Sequence, residues 1–281
     1  MANVRIVTDS ASDLTADTVA AYGIRVAPLS VSFGDRSFLD GETIVPSQFY
    51  ELLRTDPNFP RTSQPSIGRL QEIYTEARDD GVEVVSIHLS SKLSGTWNAA
   101  TTAAQAVEGA RVHLYDSLNA SIVEGEQVRF AAQLAAEGAT VPQILAGLDG
   151  FRPRLHHLFM LDSLEHVQRG GRIGRAQSLI GSLLSVKPIL TILNGEVTPV
   201  QRVRTTAKAL QELANDAQRR APLAGMRIAH ANAPEQAGQL LALLQPFAGE
   251  REIPVQPFGP VIGVHAGIGA VGLLMVQESQ Q

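Results

Sequence analysis

Cysteine is absent from this chain of 281 residues. That removes disulfides, thiolate nucleophiles and cysteine-ligated zinc, and it fits a reducing compartment. An excess of positive charge is also missing: 23 Lys and Arg stand against 28 Asp and Glu, a formal net charge of −5. Nucleic acid held by counterion release asks for a basic face, so no nucleic-acid partner is expected. No apolar run reaches the roughly 18 residues a membrane span requires. MANVRIVTDS enters a strand pattern at once, without a signal-type apolar block or transit peptide, so a cytoplasmic location is the expectation. There is no G-x-x-x-x-G-K-[ST] to cradle a nucleotide, and no internal repeat or low-complexity segment.

What is present is a 44% hydrophobic chain, enough for a sizeable core. Val4–Thr8 reads as a buried strand, and Thr15 caps a helix that Gly23 stops near Tyr22. IRVAPLSVSF then GDRSFLDG predicts strand, turn and strand, with Gly34-Asp35 at the turn. Pro46–Leu53 and Ile67–Asp80 carry helical spacing. VEVVSIHLS is a strand before a helix over Gly95–Val107. ARVHLYDS is another, before helices over Ile122–Gly138 and Val141–Phe151. Such alternation predicts a parallel sheet with helices on both faces. Beyond a boundary near Phe151–Leu155 come the strand HHLFMLD, a glycine–arginine stretch and an apolar helix, Ala176–Ser185. A hairpin turning at Asn194-Gly195, helices over Arg204–Arg220 and Glu235–Leu244, and the strand MRIAHA follow. The expected fold is α/β in two domains: an N-terminal three-layer domain on a parallel sheet (1–153) and a smaller C-terminal α/β domain (154–281).

Several motifs fail on mechanism. GIGAVG (Gly267–Gly272) matches G-x-G-x-x-G, but LLMV after it reads as a strand, where a dinucleotide site needs a helix. TDSASD resembles an aspartyl-phosphate site, except that Ala11 holds the second carboxylate's place. Lys92 replaces the first glycine of a nucleophile elbow around Ser94. His156, His157, Asp162, Glu165 and His166 fit no compact metal-ligand spacing, and a strand sends His156 and His157 to opposite faces. No metal is expected.

Three polar clusters remain. RTSQPS (Arg61–Ser66) reads as a loop before a helix. SSKLSGTW follows a strand and opens a helix, whose N-terminus adds partial positive charge where doubly wound sheets bind ligands; ordinary N-capping by Ser94 or Thr96 is the alternative. QRGGRIGR (Gln168–Arg175) is a basic turn able to reach an anion or simply to stay solvated. His265 lies in GPVIGVHAGIG, read as an apolar strand–loop. No charged residue stands inside TSQPS or SGT. Ile67, Leu70, Ile73, Leu89, Leu93, Ile180, Leu183 and Leu184 lie nearby in sequence. Polar groups at the mouth of an apolar cavity suit a head group on a long tail.

TDSASDL, TSQPS, HLSSKLSGTW, Asp116-Ser117, GGRIG, KPIL and GPVIGVHAGIG, in this order from Val4 to Val276, resemble the DegV family. Trp97 departs from the tyrosine more usual there. The resemblance implies a bacterial fatty-acid-binding protein without a catalytic site of its own, the binding subunit of a fatty acid kinase acting in phospholipid metabolism. It implies a two-domain fold with the ligand between the domains. A long-chain fatty acid would lie in an internal apolar tunnel with its carboxylate on Thr62 and Ser94, helped by the backbone around Ser63, Gly95 and Thr96. A separate ATP-dependent kinase would turn it into an acyl phosphate, with Arg172, His265 and, less directly, Arg202 near the phosphate or the kinase. No cofactor beyond the bound acid is expected. The rival readings are a lipid-sensing regulatory module without a kinase and a hydrolase using Ser94 as nucleophile.

Overall fold

The computed structural model describes residues 4–179 and 186–278. The chain divides into two compact units, Met1–Val45 with Asn58–Arg152 and Pro46–Pro57 with Pro153–Gln281. They are nearly equal in length, whereas a single cut at 153 leaves the second the smaller.

The first unit carries β1 (Val4–Asp9), α1 (Ala16–Tyr22), β2 (Arg25–Ala27), β3 (Ser30–Phe33) and β4 (Arg36–Leu39). The chain then leaves for the second unit through α2 (Pro46–Thr55). It returns as β5 (Arg61–Ser63), α3 (Ile67–Asp79), β6 (Glu83–His88), α4 (Thr96–Ala106), β7 (Val112–Asp116), α5 (Ser121–Ala136) and α6 (Val141–Phe151). Strands order β2-β1-β6-β7, all parallel. Val4, Ile6, Val85 and Ile87 pack on α5 and α6, while Val7 and Val84 pack on α3 and α4. Covering both faces is why these strands are rich in apolar residues. Thr15 caps α1 by accepting the Thr18 amide, and Gly23 ends it at φ 62°, as its sequence predicts.

Two local expectations give way here. IRVAPLSVSF is not one strand. Pro28, which has no N–H to give a ladder, separates β2 in the parallel sheet from β3 in a three-stranded antiparallel sheet ordered β4-β3-β5. RTSQPS is not wholly loop either, since Arg61–Ser63 is strand β5.

The second unit holds β8 (Leu155–Met160), α7 (Glu165–Arg169), β9 (Lys187–Leu193), β10 (Glu196–Val203) and α8 (Thr206–Arg220). After them come β11 (Leu223–His230), α9 (Pro234–Ala248), β12 (Val255–Pro257), α10 (Pro260–Ala266) and β13 (Val271–Gln277). Its sheet runs β10-β9-β8-β13-β11-β12, antiparallel except for β11 with β12. Leu210 and Leu213 of α8 and Leu240 and Leu244 of α9 bury against Met160, Ile228, Leu273 and Met275. Asn194 and Gly195 turn β9 into β10 at φ 52° and 83°, the positive pair a two-residue hairpin needs. Residues 46–57 join this unit through α10. Tyr50 donates its hydroxyl to the Phe258 carbonyl at 3.1 Å, and a Cβ on Gly263 would stand 2.5 Å from the Phe49 ring.

His265, expected in a strand–loop, lies on helix α10. Pro260 at the first turn pre-sets helical φ, and Gly267 at φ 73° ends the helix. The GIGAVG glycines run into strand β13, not a helix. The described part of the expected helix Ala176–Ser185 is 3-10, over Gly174–Leu179. Ile180, Leu183 and Leu184 lie outside the described residues. Among the described residues no helix is long and apolar enough to cross a membrane.

Candidate functional site

In the first unit the two hydroxyl-rich segments meet. Register pairs Thr62 with Val31, and Val31 with Phe38, so Thr62 shares the face of the small sheet that carries the fully buried Val31. Ser63 points to the opposite face. Two residues beyond Thr62, the side chain of Gln64 lies over Gly95 so closely that a Cβ there would be 1.9 Å from Gln64 Oε1. Only glycine leaves room for this approach. Ser66 then caps α3, accepting the Arg69 amide at 3.1 Å.

After β6 the chain turns sharply. The Leu93 and Ser94 amides both donate to the Ser90 carbonyl, at 2.9 and 3.2 Å. Gly95 caps α4 with no side-chain hydrogen bond, which leaves first-turn amides of α4 for other acceptors. Ser94 Oγ accepts the Thr96 amide at 3.2 Å and lies 2.9 Å from Thr96 Oγ1, so a capping role for Ser94 is real. One hydroxyl proton is spent between the pair and the other remains to be given. Ser94, Thr96 and the first-turn amides thus offer uncharged hydroxyl and amide donors, a set that can hold an anion. The apolar neighbours divide: Leu70 and Ile73 are core packed on the parallel sheet, while Ile67 is exposed.

Beneath this loop runs a polar network that sequence reasoning missed. Asp9, at the end of β1, takes the Leu89 amide at 3.1 Å and the Ala11 amide at 3.0 Å, and lies 3.0 Å from His88 Nδ1. His88 Nε2 is 2.8 Å from Ser86 Oγ, which is 2.8 Å from the Tyr74 hydroxyl. The order Asp–His–Ser is that of a hydrolase triad, but all three are fully buried, so no substrate reaches Ser86. Burial pushes the Tyr74 hydroxyl up to about 12. Burial, and then the charge of Asp9, hold Glu124 well above the usual carboxylate range. Thr8 donates to it at 3.3 Å. Asp9 thereby ties the start of the serine-rich loop to the sheet; Ser86 and His88, two polar residues in the otherwise apolar run Val84–His88, were the available signal.

The second unit gathers the basic residues. Arg172 donates Nη1 to the Gly170 carbonyl at 2.7 Å. His265 lies on the same glycine, where a Cβ would stand 2.3 Å from its Nδ1. Burial, with smaller contributions from Arg172 and His166, lowers His265 to about 4, so it is neutral at neutral pH. Arg202 is elsewhere, exposed on β10 opposite Pro188. The other histidines are dispersed. His156 meets Gln277 at 3.0 Å, and His157 accepts the Ile192 amide at 2.9 Å. Among the described residues no group of histidine and carboxylates could hold a metal.

Residues 3–278 match the sequence profile described as "Uncharacterised protein, DegV family". A DegV domain-containing protein of Halalkalibacterium halodurans is 38% identical over 277 residues, covering 97% of this chain and 98% of that one. Among solved structures, a fatty-acid-binding DegV family protein from Thermus thermophilus superposes with a TM-score of 0.91 at 34% identity, over 98% of this chain and 99% of its own. DegV of Bacillus subtilis, described as a fatty acid binding protein, gives 0.89 at 33% identity, over 99% and 100%.

Proposed function

The chain belongs to the DegV family, and on that premise we propose that it binds a long-chain fatty acid and presents it to a separate ATP-dependent kinase for conversion to an acyl phosphate. The observation that carries the reading is the donor set around Gly95. Ser94, Thr96 and the amides opening α4 meet the TSQPS segment, with no cation among them. A buried carboxylate is tolerable only where several donors converge on it, and Thr62 and Ser94, with the backbone at Ser63, Gly95 and Thr96, are assigned to that task. Covering a tail of about 15 carbons grosses on the order of 12 kcal/mol, of which ordering and desolvation remove a large part. Arg172 and His265, with Arg202, are assigned to the phosphoryl group or to the kinase, since the product carries more negative charge than the acid. Ser94 has Thr96 as its partner rather than a histidine, which counts against a Ser94 nucleophile. The chain acts as a carrier in the cytoplasm, without a cofactor.

The test is to purify the protein from cells, denature it and identify what is released by mass spectrometry. A stoichiometric fatty acid is expected. An empty protein that also refuses added fatty acid overturns the reading.

A further inference from the structure

Two histidines of the second unit are placed reciprocally. His265 of α10 lies on Gly170, just after α7, and His166 of α7 lies on Gly267, just after α10. A Cβ on Gly267 would stand 2.6 Å from His166 Cδ2, and one on Gly170 would stand 2.3 Å from His265 Nδ1. His166 Nδ1 is also 3.0 Å from the carbonyl of Val264, the residue before His265. A carbonyl only accepts, so His166 donates and its Nδ1 carries the proton. The short helix α7 thus grips the backbone that projects His265 by one hydrogen bond and one ring-on-glycine contact.

We propose that His166 is a positioning residue that fixes α10 so that His265 stays over Gly170 beside Arg172. The claim rests on the phosphoryl role given above to His265 and Arg172, and adds a third residue to it. α7 is too short to hold its own conformation in water, so its docking on α10 is what orders the turn Gly170–Arg172. Arg172 returns its amide to Val167 of α7 at 3.1 Å, so both assigned residues depend on the same junction. Displacing a group by about 1 Å costs up to roughly a hundredfold in a reaction that relies on it.

The experiment uses the full chain and three variants. His166→Phe and His166→Gln lack a donor at the Nδ1 position, while His166→Asn keeps one there. In each, the His265 ring is titrated by NMR, and acyl phosphate formation with a bacterial fatty acid kinase is measured beside fatty-acid retention. In the wild type His265, held down by burial, is expected to titrate near 4. In the Phe variant it moves toward the ordinary 6.5, retention is unchanged, and turnover falls about tenfold or more; Asn restores both. If Phe does not fold, Gln supplies the same readings. Unmoved titration in the folded variant lacking the donor, or an Asn variant as impaired as Phe, overturns the proposal. A wild type that gives no acyl phosphate sinks the functional reading instead, and the titration still decides the role of His166.

Discussion

Gln64 Oε1 occupies the space a side chain on Gly95 would need, 1.9 Å from where its Cβ would begin. This contact brings together two segments that the sequence presents separately, TSQPS and LSGT.

Gly95→Ala therefore tests the junction. Gly95 sits at φ −76°, which alanine adopts freely, and the obstructing atom ends a flexible side chain that can swing aside. Stability should change by less than about 1 kcal/mol, while fatty-acid retention falls. Gln64→Ala should make the Gly95→Ala loss disappear, a non-additive pair. Equal retention in wild type and Gly95→Ala would show that the two segments do not act together.

Ser94→Ala removes the acceptor of the Thr96 amide and one hydroxyl donor. A hydrogen bond to a charged group is worth about 1.5–3 kcal/mol, so fatty-acid affinity should drop about tenfold or more. The melting temperature should shift little, because Ser94 is only part-buried. Unchanged affinity by competition with a fluorescent fatty acid would remove Ser94 from the site.

Glu124 makes stability depend on pH in a defined direction. Burial and the charge of Asp9 raise its pKa in the folded protein well above the ordinary carboxylate value of 4.5, so folding favours the protonated form. Its contribution is complete below about 4.5 and is lost as pH rises toward the folded value. Glu124→Gln keeps a neutral donor and cannot ionise. In urea unfolding at pH 5 and pH 8, the variant should gain on the wild type at the higher pH. A gap that is constant, or larger at pH 5, contradicts a neutral Glu124.

Arg172→Ala separates the two assigned roles. The guanidinium bonds the Gly170 carbonyl and lies near His265, while the donors assigned to the carboxylate are on β5 and in the loop that opens α4. Fatty-acid retention should be preserved and acyl phosphate formation with a kinase should fall. Loss of retention itself would move Arg172 to the carboxylate.

Much of this was legible locally. Thr15 and Gly23 bounded α1, Asn194-Gly195 turned the hairpin, and apolar runs marked β1, β6 and β7. Each signal works because caps, turns and periodicity are set within a few residues. Pro28 could have announced a break between β2 and β3, but the alternation on either side of it hid the change of sheet. The glycine-rich run around His265 read as a strand–loop, and it is a helix whose first turn begins at Pro260.

The sequence by itself determined most of the element types and the family, and it singled out the polar segments. Tertiary structure alone decided which of them touch. Gln64 over Gly95, Asp9 under Leu89, the exchange of residues 46–57 and the pairing of His166 with Gly267 all join positions far apart along the chain. Such contacts depend on close packing between elements, and no local pattern of hydrophobicity or propensity encodes the identity of a distant partner.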